Sequence, residues 1–361
     1  MIRTLLLALT FALAAPPGPV VAQSGDATAT AEAAGRSQPW PEAEPAEAGM
    51  DAALLDQAGE RADVELPDIS AIVVARGGTL VYERYYGDQE VDEPINVRSV
   101  TKSVVSTLIG IALADGDLES LDQTIGDLIP DRIPDGADPR TPDITVRGLL
   151  TMTSGLAWSA YSDYPDLIAS DDWVTLTLGQ PVVADQGTTY VYNSGGSHLL
   201  SVILTEVTGQ DTAEYAQERL FGPLGIVPGE WERSPQGEAI GGFGLHLTAR
   251  DMAKLGQLYL DEGRWDGEQI VPASYVAEAI TYQSAGDSTG GVPYGYQWWV
   301  TDVYGYPVAF ALGYGGQFIY LVPDLDLVVV AGITRRVPPE ELVSPRPIIE
   351  QLIVAAALVD A

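Results

Sequence analysis

The chain contains no cysteine and only two histidines among its 361 residues. The absence of cysteine excludes disulfide bonds, thiolate metal sites and cysteine nucleophiles. The two histidines, His198 and His246, lie far apart in the sequence and form no H-E-x-x-H pair. A histidine-rich metal site is therefore not expected, and neither a metal nor another cofactor is predicted.

Positive charge is also scarce, and lysine occurs only twice. The chain has 18 Lys and Arg residues against 51 Asp and Glu residues, which gives a formal net charge of −33. A surface of this sign repels the phosphates of nucleic acids and the headgroups of anionic membranes. Neither is therefore expected as a partner.

The N-terminus has the pattern of an export signal. Arg3 supplies a positive end, residues 5–15 an apolar centre and residues 20–22 a cleavage site. We expect a signal peptide at 1–22 and a secreted or periplasmic protein, with no membrane contact beyond the export signal; the alternative is an uncleaved membrane anchor. Residues 23–48, rich in Ala, Glu and Pro, are expected to form a flexible acidic linker.

The remaining residues, 49–361, are expected to form one α+β domain. The 46% hydrophobic content of the chain allows a sizeable core. Two strand-like runs flank the hairpin signal Gly77-Gly78 and three more lie near the end, which predicts one antiparallel sheet of five or more strands flanked by helices. The mostly helical stretch 117–240 is expected to be an inserted lobe, and ligand sites tend to lie between lobes. The strand-like runs are residues 70–76, 79–85, 308–312, 317–322 and 327–331.

A serine and a lysine stand three residues apart at the start of an apolar helical run. Because residues at this spacing share a helix face, the hydroxyl of Ser99 and the amine of Lys102 are expected to lie side by side. A buried lysine whose pKa is lowered can remove the proton of such a hydroxyl and make it a nucleophile. The alternative is a serine that caps the helix before a solvated lysine. The other lysine, Lys254, is expected to be solvated on a later helix.

A second loop carries polar residues at a helix start. Tyr192, Asn193 and Ser194 precede a pair of glycines and an apolar helix. Such a loop can present polar side chains and bare backbone to a cleft. The alternative is an ordinary helix cap with a packed tyrosine.

A third, glycine-rich segment stands at the head of a strand. It consists of Tyr314, Gly315, Gly316 and Gln317. Glycine allows a ligand to approach the backbone closely, and a free strand N–H can donate to an oxyanion. The alternative is a simple turn between two strands.

The order of these three motifs resembles the serine β-lactamase-like superfamily, which includes class C β-lactamases, D,D-peptidases, esterases and 6-aminohexanoate-dimer hydrolases. Ser99-x-x-Lys102 is similar to the first family motif. Residues 192–194 are similar to the Tyr-x-Asn motif, and residues 314–316 stand at the position of the Lys-Thr-Gly or His-x-Gly motif. The resemblance implies the β-lactamase/transpeptidase-like fold.

The resemblance covers the chain from about Met50 to Leu358, but two departures from the family motifs bear on which branch of the family the sequence is closer to. Segments 145–156 and 241–252 are similar to further family signatures. Ser194 stands where β-lactamases usually carry Asn, and Tyr314 stands where they carry a cationic Lys or a His. A neutral tyrosine lacks the charge that helps to hold a substrate carboxylate, and the negative charge of the chain further disfavours an anionic ligand. The sequence is therefore closer to the nylon-oligomer-hydrolase and esterase branch.

The resemblance implies a serine hydrolase that acts on a small-molecule amide or ester. Ser99 is expected to form an acyl-enzyme. Lys102 and Tyr192 are the expected acid–base pair, and the sequence does not decide which of them is the base. The backbone N–H groups of Ser99 and Gln317 are expected to form the oxyanion hole.

The substrate contacts implied by the resemblance are less specific. Tyr161, Tyr164 and Trp173 lie in a loop-rich region and are candidates for the cleft wall, with packing as the alternative for each. Two other functions stay open, namely β-lactam or D,D-peptide hydrolysis and ligand binding by a catalytically silent homologue. The predicted substrate-binding residues are Ser194, Tyr314, Gly315, Gly316 and Trp173.

Overall fold

The computed structural model describes residues 40–159, 162–286, 291–334 and 342–358. The predicted signal peptide and residues 23–39 of the predicted linker lie outside these ranges, as does Tyr161. Residues 40–48 pack on the domain, since Trp40 is buried and the backbone N–H of Ala43 donates to the carbonyl of Leu80 at 3.0 Å. Within the described residues, the packed chain therefore starts before the predicted boundary at residue 49.

The centre of the fold is a six-stranded antiparallel sheet. The strands of the described chain are β1 (Ile69–Arg76), β2 (Thr79–Tyr85), β3 (Ile95–Asn96), β4 (His246–Leu247), β5 (Arg264–Trp265), β6 (Glu268–Gln269), β7 (Trp299–Val303), β8 (Tyr306–Gly313), β9 (Gln317–Val322) and β10 (Leu327–Ile333). Of these, β3 pairs with β4 and β5 pairs with β6 in two separate two-stranded sheets. The order in the six-stranded sheet is β2-β1-β10-β9-β8-β7. Val73 of β1 lies opposite Val330 of β10, so the early and late strands meet in the middle of the sheet. This confirms the predicted α+β class with an antiparallel sheet of five or more strands.

The predicted hairpin between β1 and β2 is present. Arg76 pairs with Thr79 across a two-residue turn of Gly77 and Gly78. Both glycines have positive φ, 59° and 72°. Two-residue hairpins favour turns with positive φ at both positions, because the twist of such a turn matches that of the strands.

Helices cover both faces of the sheet. They are α1 (Ala52–Glu65), α2 (Val100–Asp115), α3 (Ile125–Leu128), α4 (Val146–Leu150), α5 (Asp163–Ala169), α6 (Trp173–Leu178), α7 (Ser194–Thr208), α8 (Thr212–Ala216), α9 (Ala249–Leu260), α10 (Ala273–Ala279) and α11 (Arg346–Ile348). Short 3₁₀ helices are Pro45–Ala48, Pro130–Arg132, Thr141–Asp143 and Pro323–Leu325, and π-helical turns are Gln217–Phe221 and Ile349–Val354. Within the described part of the chain, no helix combines the length and the apolar character that crossing a membrane requires.

The side chains of strand β1 pack against helices on both faces of the sheet. Ala71 and Val73 belong to one hydrophobic cluster, which includes residues of α2 and α9. Ile72 and Val74 belong to a second cluster, which includes residues of α1 and of the C-terminal helical segment. Because successive side chains of a strand point to opposite faces, an apolar run such as β1 is covered on both. Helix α2 is consequently buried from Val100 to Ala112.

Candidate active site

The start of α2 leaves the hydroxyl of Ser99 available. Arg98 has φ 53°, which is uncommon for a residue with a side chain, and its carbonyl accepts a hydrogen bond from Oγ1 of Thr101 at 2.6 Å. The same Thr101 oxygen accepts from the backbone N–H of Leu245 at 3.3 Å. Ser99 occupies the N-cap position, but its side chain makes no capping hydrogen bond. The structure therefore does not support the alternative of a capping serine.

Lys102 is buried beside Ser99 rather than solvated. Its side chain is only 1% exposed. The Nζ atom donates to the carbonyl of Gly242 at 2.6 Å, to Oγ of Ser194 at 3.1 Å and to Oγ of Ser99 at 3.5 Å. All three acceptors are uncharged, and a buried ammonium ion without a counter-charge is costly. Burial accordingly lowers the pKa of Lys102 from 10.5 to about 7.

Tyr192 reaches the same hydroxyl from the loop before α7. Burial raises the pKa of its phenol well above the usual value, and a side-chain hydrogen bond with Ser99 partly opposes that rise. The ring stacks on Trp299 with 6.0 Å between the ring centres, and the Nζ atom of Lys102 lies 5.1 Å from the centre of the Tyr192 ring. Ser99, Lys102 and Tyr192 therefore lie together, as the sequence predicted.

The loop that carries Tyr192 is both a helix cap and a part of the site. Asn193 caps α7, since its Oδ1 accepts from the backbone N–H of Gly196 at 2.8 Å. The residues on either side of this cap, Tyr192 and Ser194, contact Ser99 and Lys102. The cap and the polar site are consequently the same feature, so the two interpretations of this loop do not exclude each other.

Gly242 has no predicted role of its own, although it lies in segment 241–252, which is similar to a family signature. The carbonyl of Gly242 accepts the shortest of the three hydrogen bonds of Lys102. A Cβ at this position would lie 2.9 Å from the carbonyl oxygen of Ser194 and 3.3 Å from Nζ of Lys102. A side chain here would clash with the carbonyl of Ser194 and press against Nζ of Lys102. The adjacent pair Gly241-Gly242 is the sequence signal that could have indicated this close approach.

The third motif forms the turn between β8 and β9. Gly315 and Gly316 have φ of 96° and 108°, and the N–H of Gly316 donates to the carbonyl of Gly313 at 3.1 Å. Gly313 packs against the carbonyl of Val97 with no room for a Cβ, which brings the turn close to the start of α2. The turn geometry matches the simpler interpretation of this motif. Substrate binding by Tyr314, Gly315 and Gly316 stays a prediction.

Gln317, the first residue of β9, is fixed through its side chain. Its Oε1 atom accepts from the backbone N–H of Ile333 at 2.9 Å, and its Nε2 atom donates to the carbonyl of the same residue. The side chain thus extends the ladder to β10 and holds the backbone of Gln317 in place. The proposed oxyanion role of the N–H groups of Gln317 and Ser99 stays a prediction.

Aromatic residues adjoin the site, but Trp173 is mostly covered. It is 4% exposed, and its ring packs edge-on against His198 at 5.4 Å and at a tilt against Phe243 at 5.7 Å. Tyr164 packs edge-on against Phe243 at 5.5 Å and interacts with Tyr192. Tyr164 and Phe243 are half-buried and so present more ring surface than Trp173 does. Substrate binding by Trp173 stays a prediction, and the ring exposes little surface for such a contact.

The pKa of Lys102 predicts a specific pH dependence. With Lys102 as the predicted base, only its neutral amine can take a proton from Ser99, so kcat/KM for an uncharged ester should fall about tenfold per pH unit below about pH 7 and level off above it. The chain has two lysines, so ¹³C-labelled lysine gives two Cε signals in an NMR spectrum. The signal that disappears in Lys102→Met should titrate near pH 7. A flat kcat/KM between about pH 5 and pH 9 would contradict this expectation.

Comparison with known proteins assigns most of the chain to one family. The family model described as "Beta-lactamase" matches residues 60–352. The chain is 28% identical over 220 residues to monacolin J acid methylbutanoyltransferase of Aspergillus terreus, and the alignment covers 50% of this chain and 52% of that protein. It is 25% identical over 284 residues to 6-aminohexanoate-dimer hydrolase of Paenarthrobacter ureafaciens, covering 72% of this chain and 71% of that protein. The chain thus spans about half the length of the first of these relatives.

Solved structures show the same fold at low identity. The structure of EstCE1, a hydrolase with promiscuous acyltransferase activity, has a TM-score of 0.70 at 18% identity and covers 85% of this chain and 98% of that one. The octameric penicillin-binding protein homologue from Pyrococcus abyssi has a TM-score of 0.67 at 20% identity and covers 84% and 77%. At these identities the likeness concerns the fold alone, and it confirms the predicted β-lactamase/transpeptidase-like class.

Proposed function

The chain belongs to the Beta-lactamase family, and on that premise we propose that it is a serine hydrolase that cleaves an ester or an amide through an acyl-enzyme on Ser99. One observation carries the proposal. The hydroxyl of Ser99 makes no capping hydrogen bond and lies 3.5 Å from the Nζ atom of a buried lysine whose pKa is about 7. A hydroxyl beside a base of that pKa is an activated nucleophile.

In the proposed reaction, Lys102 takes the proton of Ser99 as its Oγ atom attacks the substrate carbonyl. The negative charge that develops on the carbonyl oxygen is stabilised by the backbone N–H groups of Ser99 and Gln317. The bond to the leaving group then breaks, and the leaving group receives a proton from Tyr192, which regains one from the Lys102 ammonium. A water molecule attacks the acyl-enzyme in the same way, which releases the acid and restores the hydroxyl of Ser99.

The two pKa shifts support this division of roles. Burial lowers the pKa of Lys102 to about 7, so a large fraction of the amine is neutral at neutral pH and able to accept a proton. Burial raises the pKa of Tyr192, so its phenol keeps its proton and acts as a donor. An ideal general base has a pKa close to the working pH, which favours Lys102 over Tyr192.

The substrate that we propose is uncharged near the reacting carbonyl and has an apolar group beside it. The chain carries a net charge of −33, and Tyr314 replaces the cationic residue that helps to hold a carboxylate in β-lactamases. The half-buried rings of Tyr164 and Phe243 offer an apolar wall next to Tyr192 and Gly242. The chain is also 30% identical over 197 residues to esterase EstB of Burkholderia gladioli, covering 48% of this chain and 50% of that protein, which supports an ester as the bond that is cleaved.

Mass spectrometry of the acylated protein tests the proposed reaction. The wild-type chain would be mixed with a p-nitrophenyl ester, a p-nitroanilide and nitrocefin, and the adduct would be located by peptide mapping. We expect the ester to acylate the peptide that contains Ser99, and to do so faster than nitrocefin. Faster acylation by nitrocefin would favour a β-lactamase instead. The absence of both adduct and turnover with every compound would favour a catalytically silent binding protein.

A further inference from the structure

His198 is buried on α7, one helical turn after Ser194, and is only 1% exposed. Its Nδ1 atom accepts a hydrogen bond from the backbone N–H of Gly241 at 3.4 Å. Because Nδ1 is the acceptor, the proton of the neutral ring lies on Nε2. The Nε2 atom lies 3.4 Å from Oε2 of Glu238, which is a contact at ion-pair distance.

The carboxylate of Glu238 lies beside the Nε2 atom and favours this tautomer. Although burial opposes its ionisation, contacts with His198 and Arg132 lower the pKa of the Glu238 carboxyl to about 2. The guanidinium of Arg132 lies 2.7 Å from Oε1 of Glu238, and the hydroxyl of Ser234 donates to Oε2 at 3.2 Å. The carboxylate is therefore charged at any working pH and attracts the ring nitrogen that carries the proton. Nδ1 is left as the acceptor for Gly241.

Gly241 connects this histidine to the active site. Its Cα packs against the carbonyl of Ser197 on α7, with no room for a Cβ. The next residue, Gly242, presents the carbonyl that accepts the hydrogen bond of Lys102 at 2.6 Å. Two consecutive glycines have little intrinsic backbone preference, so the direction of this carbonyl depends on contacts that anchor the pair.

We propose that His198 is a positioning residue, which holds the N–H of Gly241 and thereby keeps the carbonyl of Gly242 directed at Lys102. Glu238 keeps His198 in the tautomer that can accept this hydrogen bond. Helix α7 thus contributes two residues to the environment of Lys102. Ser194 accepts a hydrogen bond from it directly, and His198 positions another of its acceptors, the carbonyl of Gly242. The inference rests on the proposed role of Lys102 as the base.

Two substitutions of His198 test the roles of its two ring nitrogens separately. Asparagine places an amide oxygen close to the position of Nδ1, so His198→Asn can still accept from Gly241 but loses the contact with Glu238. Glutamine places an amide nitrogen close to the position of Nε2, so His198→Gln keeps a donor for Glu238 and loses the acceptor for Gly241. His246→Gln is the matched control, because the Nδ1 atom of that half-buried histidine contacts the carbonyl of Glu230 at 3.0 Å.

The kinetics of ester hydrolysis should distinguish these variants. We expect His198→Gln to lower kcat about tenfold, equivalent to about 1.4 kcal/mol of barrier, with KM changed less than about twofold. His198→Asn should restore most of kcat, and His246→Gln should match the wild type. Equal values of kcat in His198→Asn and His198→Gln, or a loss confined to His198→Asn, would overturn the proposal.

The titration of Lys102 gives a second measurement that does not require turnover. The ammonium form loses its shortest acceptor in His198→Gln, so the titration midpoint of the Lys102 Cε signal should move down in that variant and stay near the wild-type value in His198→Asn. A midpoint unchanged in His198→Gln, with only the melting temperature reduced, would show that His198 merely stabilises the fold. Because this signal is observable without a substrate, failure of the proposed hydrolase activity and failure of the positioning role give different results.

Discussion

Replacing Ser99 with alanine should lower kcat for an activated ester by at least about 10⁴-fold and abolish the acyl adduct. The reason is that the proposed reaction passes through a bond to Oγ of Ser99. Lys102 and Tyr192 converge on this hydroxyl, and without it neither has a nucleophile to serve. Turnover with wild-type and variant protein, measured together with intact-mass analysis, checks the expectation.

Ser103→Ala is the matched control for this substitution. Ser103 lies on the same helix and is buried at 3% exposure, but its hydroxyl donates to the carbonyl of Gln297 at 2.7 Å. Its removal should lower the free energy of unfolding by about 1 kcal/mol and leave the acyl adduct intact. Persistence of the adduct in Ser99→Ala would mean that a different residue is the nucleophile.

The parts of this molecule that depend on local sequence patterns were predictable. Gly77-Gly78 between two apolar runs specified a hairpin, because few other residues adopt positive φ at both positions. The three-residue spacing of Ser99 and Lys102 was sufficient to place them together, since a helix fixes the positions of residues on one face. Tyr192 was assigned through the family resemblance, not through its own spacing.

The parts that depend on tertiary packing were not predictable in the same way. Gly242 acts through its carbonyl, a group that every residue has, and it lies far from Lys102 in the sequence. Lys254 was expected to be solvated because it occupies a polar position on an amphipathic helix. This expectation was wrong: Lys254 is 2% exposed, and its Nζ atom donates to the carbonyl of Gly225 at 3.1 Å. A segment from a distant part of the chain covers it, which helical periodicity cannot indicate.

Substitution by methionine should lower kcat strongly at Lys102 and only slightly at Lys254. Lys102→Met removes the proposed base, so kcat should fall by about 10²–10⁴-fold. Lys254→Met should leave kcat within about threefold of the wild type, because the contacts of Lys254 are with Gly225 and Asp251 rather than with Ser99. Parallel measurement of kcat in the two variants checks this contrast.

The free energy of unfolding should fall more in Lys254→Met than in Lys102→Met. Asp251 is fully buried, and Nζ of Lys254 lies 3.9 Å from its Oδ1 atom, so Lys254→Met removes that counter-charge and should lower the free energy of unfolding by about 3 kcal/mol. Adding Asp251→Asn should recover part of the loss. In Lys102→Met, by contrast, a side chain of similar length replaces a buried amine, and the acceptors that it leaves, the carbonyl of Gly242 and the hydroxyl of Ser194, are uncharged.

The pH dependence of the free energy of unfolding tests whether the pKa of Lys102 is lowered in the folded chain. The pKa of Lys102 is about 7 in the folded chain against 10.5 for an ordinary lysine, so the unfolded chain binds more protons between these values and wild-type stability gains from rising pH in that window. Lys102→Met has no such gain, so its stability relative to the wild type should decline by about 2–3 kcal/mol between about pH 7 and pH 9. Denaturant unfolding at several pH values measures this difference. If the difference does not vary with pH, the pKa of Lys102 is not lowered by burial. If Lys254→Met is the variant that loses activity, a group other than Lys102 activates Ser99.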